Sequence, residues 1–282
     1  GNMSRRGYLQ AGVEFLGVSG AFSDAQAIAF AVECMKETGL DDFTVDVGHV
    51  GFFKGLLSGL GVNEEYTEKV RVSINAKDSV GTMLALKEAG VDGRAAEALL
   101  SLPSLFGGEE VFSRAEKLTE DKGALSALEH LKKVHALLKE FGLEKYVSFD
   151  LGTVKSLSYY SGIVFTGLTG ALGAPVLSGG RYDYLADDFG KHIPAVGFAM
   201  GLKRILMALE SKGKVEKLPA PDAVIVAKEG AEATAYREYL RLTGERKTAD
   251  LYTGSEKEGI RYAAERNAKC VLVAEKEGVK RL

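Results

Sequence analysis

The sequence predicts an α+β fold in two parts, and three observations carry that reading. Strand-like runs stand near the start of the chain and again between Tyr146 and Phe198. Between them, residues 51–142 carry apolar side chains at helical spacing almost throughout. After a Pro-containing stretch, Leu218–Pro221, strand and helix patterns alternate as in a βαβαβ unit. Strands and helices kept apart indicate α+β, whereas strict alternation indicates α/β. The expected division is therefore a larger domain over residues 1–218, with 51–142 as a helical insertion, and a small α/β domain over 219–282.

The elements follow in order. Gly1–Ser4 reads as a cut end. Tyr8–Leu16 alternates as a strand, with Gln10, Gly12 and Glu14 on one face and Leu9, Ala11 and Val13 on the other. A Gln and a Glu on one strand face suit recognition of an ammonium or imidazole N–H; a solvent-facing strand edge is the other reading. Ser23–Thr38 is an amphipathic helix with Ser23 as N-cap, an apolar face of Ala25, Ile28, Ala29, Val32 and Met35, and Gly39 closing it. Phe43–Val47 is a short strand, and His49 reads as a turn residue. Helices are expected over Gly51–Leu60, Ala76–Glu88, Arg94–Leu100, Glu109–Leu118 and Gly123–Phe141, interrupted by Gly90, Pro103, Gly107 and Gly108. Mixed Lys and Glu on the last of these make an ordinary solvated face. Tyr146–Phe149 and Ile163–Gly167 are strands. Ser178–Leu206 then gives a Gly-Gly turn, Tyr182 and Tyr184, a loop to Pro194, the apolar strand Ala195–Phe198, and a helix opened by Gly201 that carries Arg204. Glycines at 179, 180, 197 and 201 let backbone approach a ligand closely. An Arg one turn into such a helix fits a flat or anionic ligand, or it is simply solvated. The last part reads strand Ala223–Ala227, helix Glu232–Leu242, strand Thr248–Tyr252, helix Glu256–Arg266 and strand Cys270–Ala274.

Composition bounds the function. The hydrophobic content of 46% and charged content of 27% describe a globular protein. A net charge of −3 and a pI near 5.9 give no basic excess to draw nucleic acid. Cys34 and Cys270 are too far apart to suggest zinc or a disulfide, and both read as buried thiols of a reducing compartment. His130 and His135 lack the spacing of a helical zinc site. No metal or cofactor is called for. No signal peptide is recognisable, and no apolar run reaches the roughly 20 residues of a membrane span, so a cytoplasmic protein with no membrane partner is expected.

Three motifs carry a resemblance. RRGYLQAGVE (Arg5–Glu14), DLGTVKSLSYYSGIVF (Asp150–Phe165) and the SGGRYD and AVGFAMGLKR segments within Ser178–Leu206 together resemble the histidine-binding half of the histidyl-tRNA synthetase catalytic domain. The likeness runs from Arg5 to about Leu218 and implies a class II aminoacyl-tRNA synthetase-like fold, an antiparallel sheet flanked by helices. The Gly-Gly-Arg-Tyr-Asp and Ala-Val-Gly-Phe-Ala patterns match throughout. The Arg-Gly-Leu-Asp-Tyr-Tyr pattern does not: Lys155 stands for Arg, Ser156 for Gly and Ser158 for Asp, while Gly7 stands where the family has Glu. These departures, with LPSLFGGEEV (Leu102–Val111) and FDLG (Phe149–Gly152), are similar to the family's paralogue, the regulatory subunit of ATP phosphoribosyltransferase. The resemblance also implies that the segment before Arg5 is missing. Residues 219–282 resemble the start of an anticodon-binding domain, truncated after its third strand.

The resemblance further implies roles. Gln10, Glu14, Tyr160 and Tyr182, with Lys155 beside them, would bind histidine, and Arg6 and Arg204 would be remnants of an ATP site. Lys155 lacks the planar fork of Arg, and loss of an oriented charge of that kind costs roughly 10²–10³ in rate. The expectation is a non-catalytic chain that binds histidine as effector and needs no cofactor. It would pair with itself and with a short-form ATP phosphoribosyltransferase catalytic subunit in a hetero-oligomer, a hetero-octamer, and would not bind tRNA. The alternatives are a divergent histidyl-tRNA synthetase, which requires Arg at 155, Asp at 158 and a complete C-terminal domain, and another amino-acid-binding paralogue with a different partner.

Overall fold

A computed structural model describes residues 9–154, 159–187, 190–215 and 219–282. The chain divides into two compact units, residues 1–215 and 216–282. The first contains, in order, β1 (Gln10–Leu16), α1 (Ala21–Glu37), β2 (Phe43–His49), α2 (Val50–Leu57), α3 (Glu64–Asn75), α4 (Ser79–Glu88), α5 (Gly93–Ser101), β3 (Phe106–Gly107), α6 (Glu110–Glu116), α7 (Lys122–Glu140), β4 (Val147–Asp150), β5 (Ile163–Thr169), β6 (Leu177–Arg181), β7 (Ala195–Gly201) and α8 (Leu202–Ser211).

Its seven strands form one sheet in the order β1-β7-β6-β5-β2-β4-β3. The expected antiparallel sheet holds for every neighbouring pair except β2 with β4, which is parallel. The exception has a physical cause. The helices from α2 to α7 form the long connection that a parallel pair requires, and a hairpin cannot supply it.

Register fixes the two faces. Val13, Phe198, Phe165, Val47 and Phe149 lie on one face, packed with Ile28, Val32 and Met35 of α1 and with α7 in the main core. The opposite face carries Gln10, Gly12 and Glu14 of β1, Gly197 and Ala199 of β7, Ser178 and Gly180 of β6, Thr166 of β5, Asp46 of β2 and Ser148 of β4. The predicted polar face of the first strand is thus one margin of a polar sheet surface. Ser148 donates to the Asp46 carboxylate across it.

Local chemistry explains where the elements begin, and in places corrects the expectations. Helix α1 starts at Ala21 after Gly20, so Ser23 is not its cap; the Ser23 hydroxyl donates to the Gly20 carbonyl at 2.9 Å and is buried. His49 ends β2 and caps α2, its Nδ1 accepting the Gly51 N–H at 3.0 Å, and is more than a turn residue. Helix α3 was not expected. Its acidic start and low apolar content hide it, but Asn63 caps it by accepting from the Tyr66 N–H. Asp78 likewise caps α4 by accepting from Gly81, which moves that helix start from 76 to 79. Both cysteines are half-buried rather than buried.

The second unit comprises β8 (Ala223–Ala227), α9 (Glu232–Gly244), β9 (Ala249–Thr253), α10 (Glu256–Glu265), β10 (Val271–Glu275) and β11 (Gly278–Arg281). Its sheet runs β11-β10-β8-β9, parallel except for the terminal hairpin. The unit therefore does not stop after a third strand: β11 is a fourth, missed because its alternation is short and exposed. Strand β8 reads Ala-Val-Ile-Val-Ala with every residue buried, as a strand covered on both faces must be. Ala223 and Ile225 pack with Ala235 and Leu242 of α9, while Val224 and Val226 pack with Ala263 of α10.

Candidate functional site

The polar face of the large sheet has a floor without side chains where β1, β7 and β6 run side by side. Glu14 pairs in register with Gly197, and Gly197 with Gly180. A Cβ on Gly197 would lie 2.5 Å from the Val13 carbonyl and would overlap the Glu14 carboxylate, which crosses over it. A Cβ on Gly180 would sit 2.6 Å from Cε1 of Tyr160, whose ring covers it. Glycine at these positions thus admits the Glu14 and Tyr160 side chains onto the sheet.

On this floor the structure brings together three of the expected residues. The Tyr182 hydroxyl donates to Glu14 Oε2. Tyr182 follows β6 and is buried. Tyr160 precedes β5 and hydrogen-bonds Ser178. Tyr159, which sequence reasoning passed over although it is half of the Tyr-Tyr doublet, closes the group. Its ring stacks on Tyr182 at 5.3 Å and 23°, and meets Tyr160 edge-on at 4.8 Å. Partial desolvation raises the Glu14 carboxyl above the ordinary range. Burial and then the neighbouring tyrosine raise Tyr160, and burial and then the Glu14 charge raise Tyr159. A carboxylate flanked by three tyrosines is an acceptor site for a cationic or N–H-bearing group of modest size.

Gln10 and Arg204 lie elsewhere on the same face. They line a cleft of about 570 Å³ with Pro175, Ser178, Ala199 and Lys203. Gln10 is four residues from Glu14 along β1, about 13 Å at strand rise, so it borders the tyrosine group from a distance. Arg204 is exposed on α8 and donates to the Pro175 carbonyl at 2.5 Å. Between this cleft and Asp46, the Thr166 hydroxyl is buried with no hydrogen-bond partner among the described residues. Lys155 and Arg6, with Gly7, Ser156 and Ser158, lie outside the described residues. Among the described residues no group of three or more His, Cys, Asp or Glu could hold a metal, and no helix is long and apolar enough to cross a membrane.

The mostly antiparallel sheet, the helical block set within it and the polar sheet face define a class II aminoacyl-tRNA synthetase-like domain. A family model described as histidyl-tRNA synthetase matches residues 1–205. The chain is 41% identical over 266 residues to the ATP phosphoribosyltransferase regulatory subunit of Acetivibrio thermocellus, covering 94% of this chain and 64% of that one. It is 33% identical over 267 residues to the protein so named in Desulfitobacterium hafniense, covering 95% and 69%. A crystal structure described as an ATP phosphoribosyltransferase regulatory subunit/histidyl-tRNA synthetase from Bacillus halodurans is similar with a TM-score of 0.70 at 28% identity, covering 95% of this chain and 68% of that one. The chain belongs to the histidyl-tRNA synthetase-like family of ATP phosphoribosyltransferase regulatory subunits. It spans 64% of the length of the Acetivibrio relative.

Proposed function

We propose that this chain is part of a non-catalytic regulatory subunit of ATP phosphoribosyltransferase that binds histidine on the glycine floor of its large sheet. The observation that carries the reading is the Glu14 carboxylate hydrogen-bonded by Tyr182, with Tyr159 stacked on Tyr182 and Tyr160 edge-on to Tyr159. Glu14 would take the ammonium or imidazole N–H, Tyr160 would hydrogen-bond the ring, and Gln10 would meet the ligand from the neighbouring cleft; Lys155, outside the described residues, would belong to the same site. Arg204, and Arg6 with it, would be relics of a nucleotide site and matter less for histidine. Lys155, Ser158 and Gly7, in place of Arg, Asp and Glu, support loss of histidine activation.

The chain would act in the cytoplasm in the first step of histidine biosynthesis and its feedback. It would pair with itself and dock on the short-form catalytic subunit in a hetero-octamer, without tRNA. The test is phosphoribosyl-ATP formation by that catalytic subunit, with and without this chain, across a histidine titration. Activity raised by the chain and suppressed by histidine is expected. Separate elution, unchanged activity and histidine-driven ATP–pyrophosphate exchange at about 1 s⁻¹ or more would establish the synthetase instead.

A further inference from the structure

Adjacent residues of a strand point to opposite faces, and the end of β6 uses this. Tyr182 serves the ligand face, while the Arg181 side chain enters the core and is only 5% exposed. Among the described residues its guanidinium makes four hydrogen bonds and one further close ion-pair contact. Nε donates to Asp24 Oδ1 at 2.8 Å. One terminal nitrogen reaches the Ser23 hydroxyl at 2.7 Å and Asp24 Oδ1 at 2.6 Å. The other reaches Asp183 Oδ1 at 2.9 Å and the Val18 carbonyl at 3.0 Å.

Both ends of this ion pair extend further. Asp24, on α1 and 0% exposed, gives its second oxygen to His130 Nε2 of α7 at 2.6 Å. Asp183 accepts the Ala195 N–H at 3.1 Å through Oδ1 and the Ser161 hydroxyl at 2.9 Å through Oδ2, and its own N–H donates back to Ser161 Oγ at 3.0 Å. Ser161 is next to Tyr160, and Asp183 is next to Tyr182. One continuous chain therefore runs from α7 through α1 and β6 to the two segments that hold the tyrosines.

Stability alone does not call for this arrangement. A buried ion pair spends most of its attraction on desolvation, and apolar residues of similar volume would serve the core as well. What the fork of an arginine adds is direction, since two carboxylates are held at fixed angles to one strand end.

We infer that Asp24, Arg181 and Asp183 are positioning residues for the ligand pocket, and that His130 is the outer anchor through which α7 sets the geometry of its tyrosine wall. The inference rests on the histidine-binding reading for its ligand, and on the hydrogen-bond chain for its mechanism. Among the described residues, the partners of His130 are Asp24 and the ring of His49, at 5.5 Å, and none is a pocket side chain. Asp24 is the hydrogen-bonding partner through which His130 joins the chain of contacts that leads to the tyrosines.

The test uses the whole chain with His130→Leu, His130→Gln and Arg181→Lys. Histidine affinity is measured by calorimetry, and amide hydrogen exchange is followed in peptides covering residues 159–163 and 181–187. His130→Leu should weaken histidine about 3- to 10-fold and speed exchange in both peptides by a similar factor. His130→Gln should restore both, because its amide N–H can replace the imidazole donor to Asp24. Arg181→Lys should cost about 10- to 100-fold in affinity, since a point charge cannot hold two carboxylates at once. Parent values for His130→Leu in both readouts, or a Gln variant no better than the Leu one, would overturn the inference. A parent chain that binds no histidine refutes the ligand reading, and the exchange data still decide the mechanism. Arg181→Lys has a buried site and can unfold; His130 is 27% exposed at its side chain, so its variants keep the question open to measurement.

Discussion

At the scale of single residues, Glu14 would have a double task in the proposed histidine site. It would have to be charged to attract a cationic group, yet it sits where partial desolvation resists charging. Binding of an ammonium or imidazolium would relieve that resistance, so ligand and proton compete for the carboxylate. Glu14→Gln should weaken histidine about 10- to 100-fold by calorimetry at neutral pH, and the parent's affinity should fall towards the variant's as pH drops into the carboxylate range. His49 makes a separate prediction about stability. Burial first, and then the charge of His130, press its pKa from 6.5 down to about 4. The folded form thus holds His49 neutral. Its contribution is fully present above pH 6.5 and is lost as pH falls through the window down to about 4. His49→Gln keeps an acceptor for the Gly51 N–H and removes the titration. The parent should therefore lose more melting temperature than the variant between pH 6.5 and 4.5, by on the order of 2 kcal/mol in stability.

At the scale of elements, the proposed histidine site would depend on how closely β1 and β7 approach. Gly197→Ala would press a methyl against the Val13 carbonyl and the Glu14 side chain. It should cost about 1–3 kcal/mol in denaturant unfolding and abolish detectable histidine binding. Gly173→Ala is the control, because nothing lies within 4 Å of a Cβ there. It should leave both unchanged.

The elements also show what a sequence makes legible. The period-two alternation of Gln10, Gly12 and Glu14 announced the polar face directly, because register carries it intact across the sheet. Helix α3 stayed hidden because only Val70 and Ile74 of its residues are buried, so its periodicity is thin and its cap is the stronger signal. Ser23 was read as a cap because its role depends on Arg181, far along the chain. Tyr159 was missed for a similar reason: stacking on Tyr182 is a tertiary fact that no local spacing expresses.

At the scale of the whole molecule, the two units have separate cores, one around the large sheet and one on either side of β8. Residues 216–282 should therefore fold when expressed alone and show cooperative thermal unfolding by circular dichroism. With so few residues the stability should be modest, on the order of a few kcal/mol. A chain that remains unfolded by itself would show that the large unit is needed to hold it.

The pairing of β1 with β7 joins Gln10 to Gly201, so almost the whole of the first unit lies between the two edges of one ladder. Closing so long a loop costs entropy before any contact repays it, and such pairings form late. Helices α2 to α7 can gather from neighbours, whereas Glu14 must wait for Gly197 to arrive. During synthesis Glu14 leaves the ribosome early and Gly197 leaves late. On the proposed reading no nascent chain that ends before β7 would hold the ligand, and histidine would stabilise only chains whose large sheet is already complete.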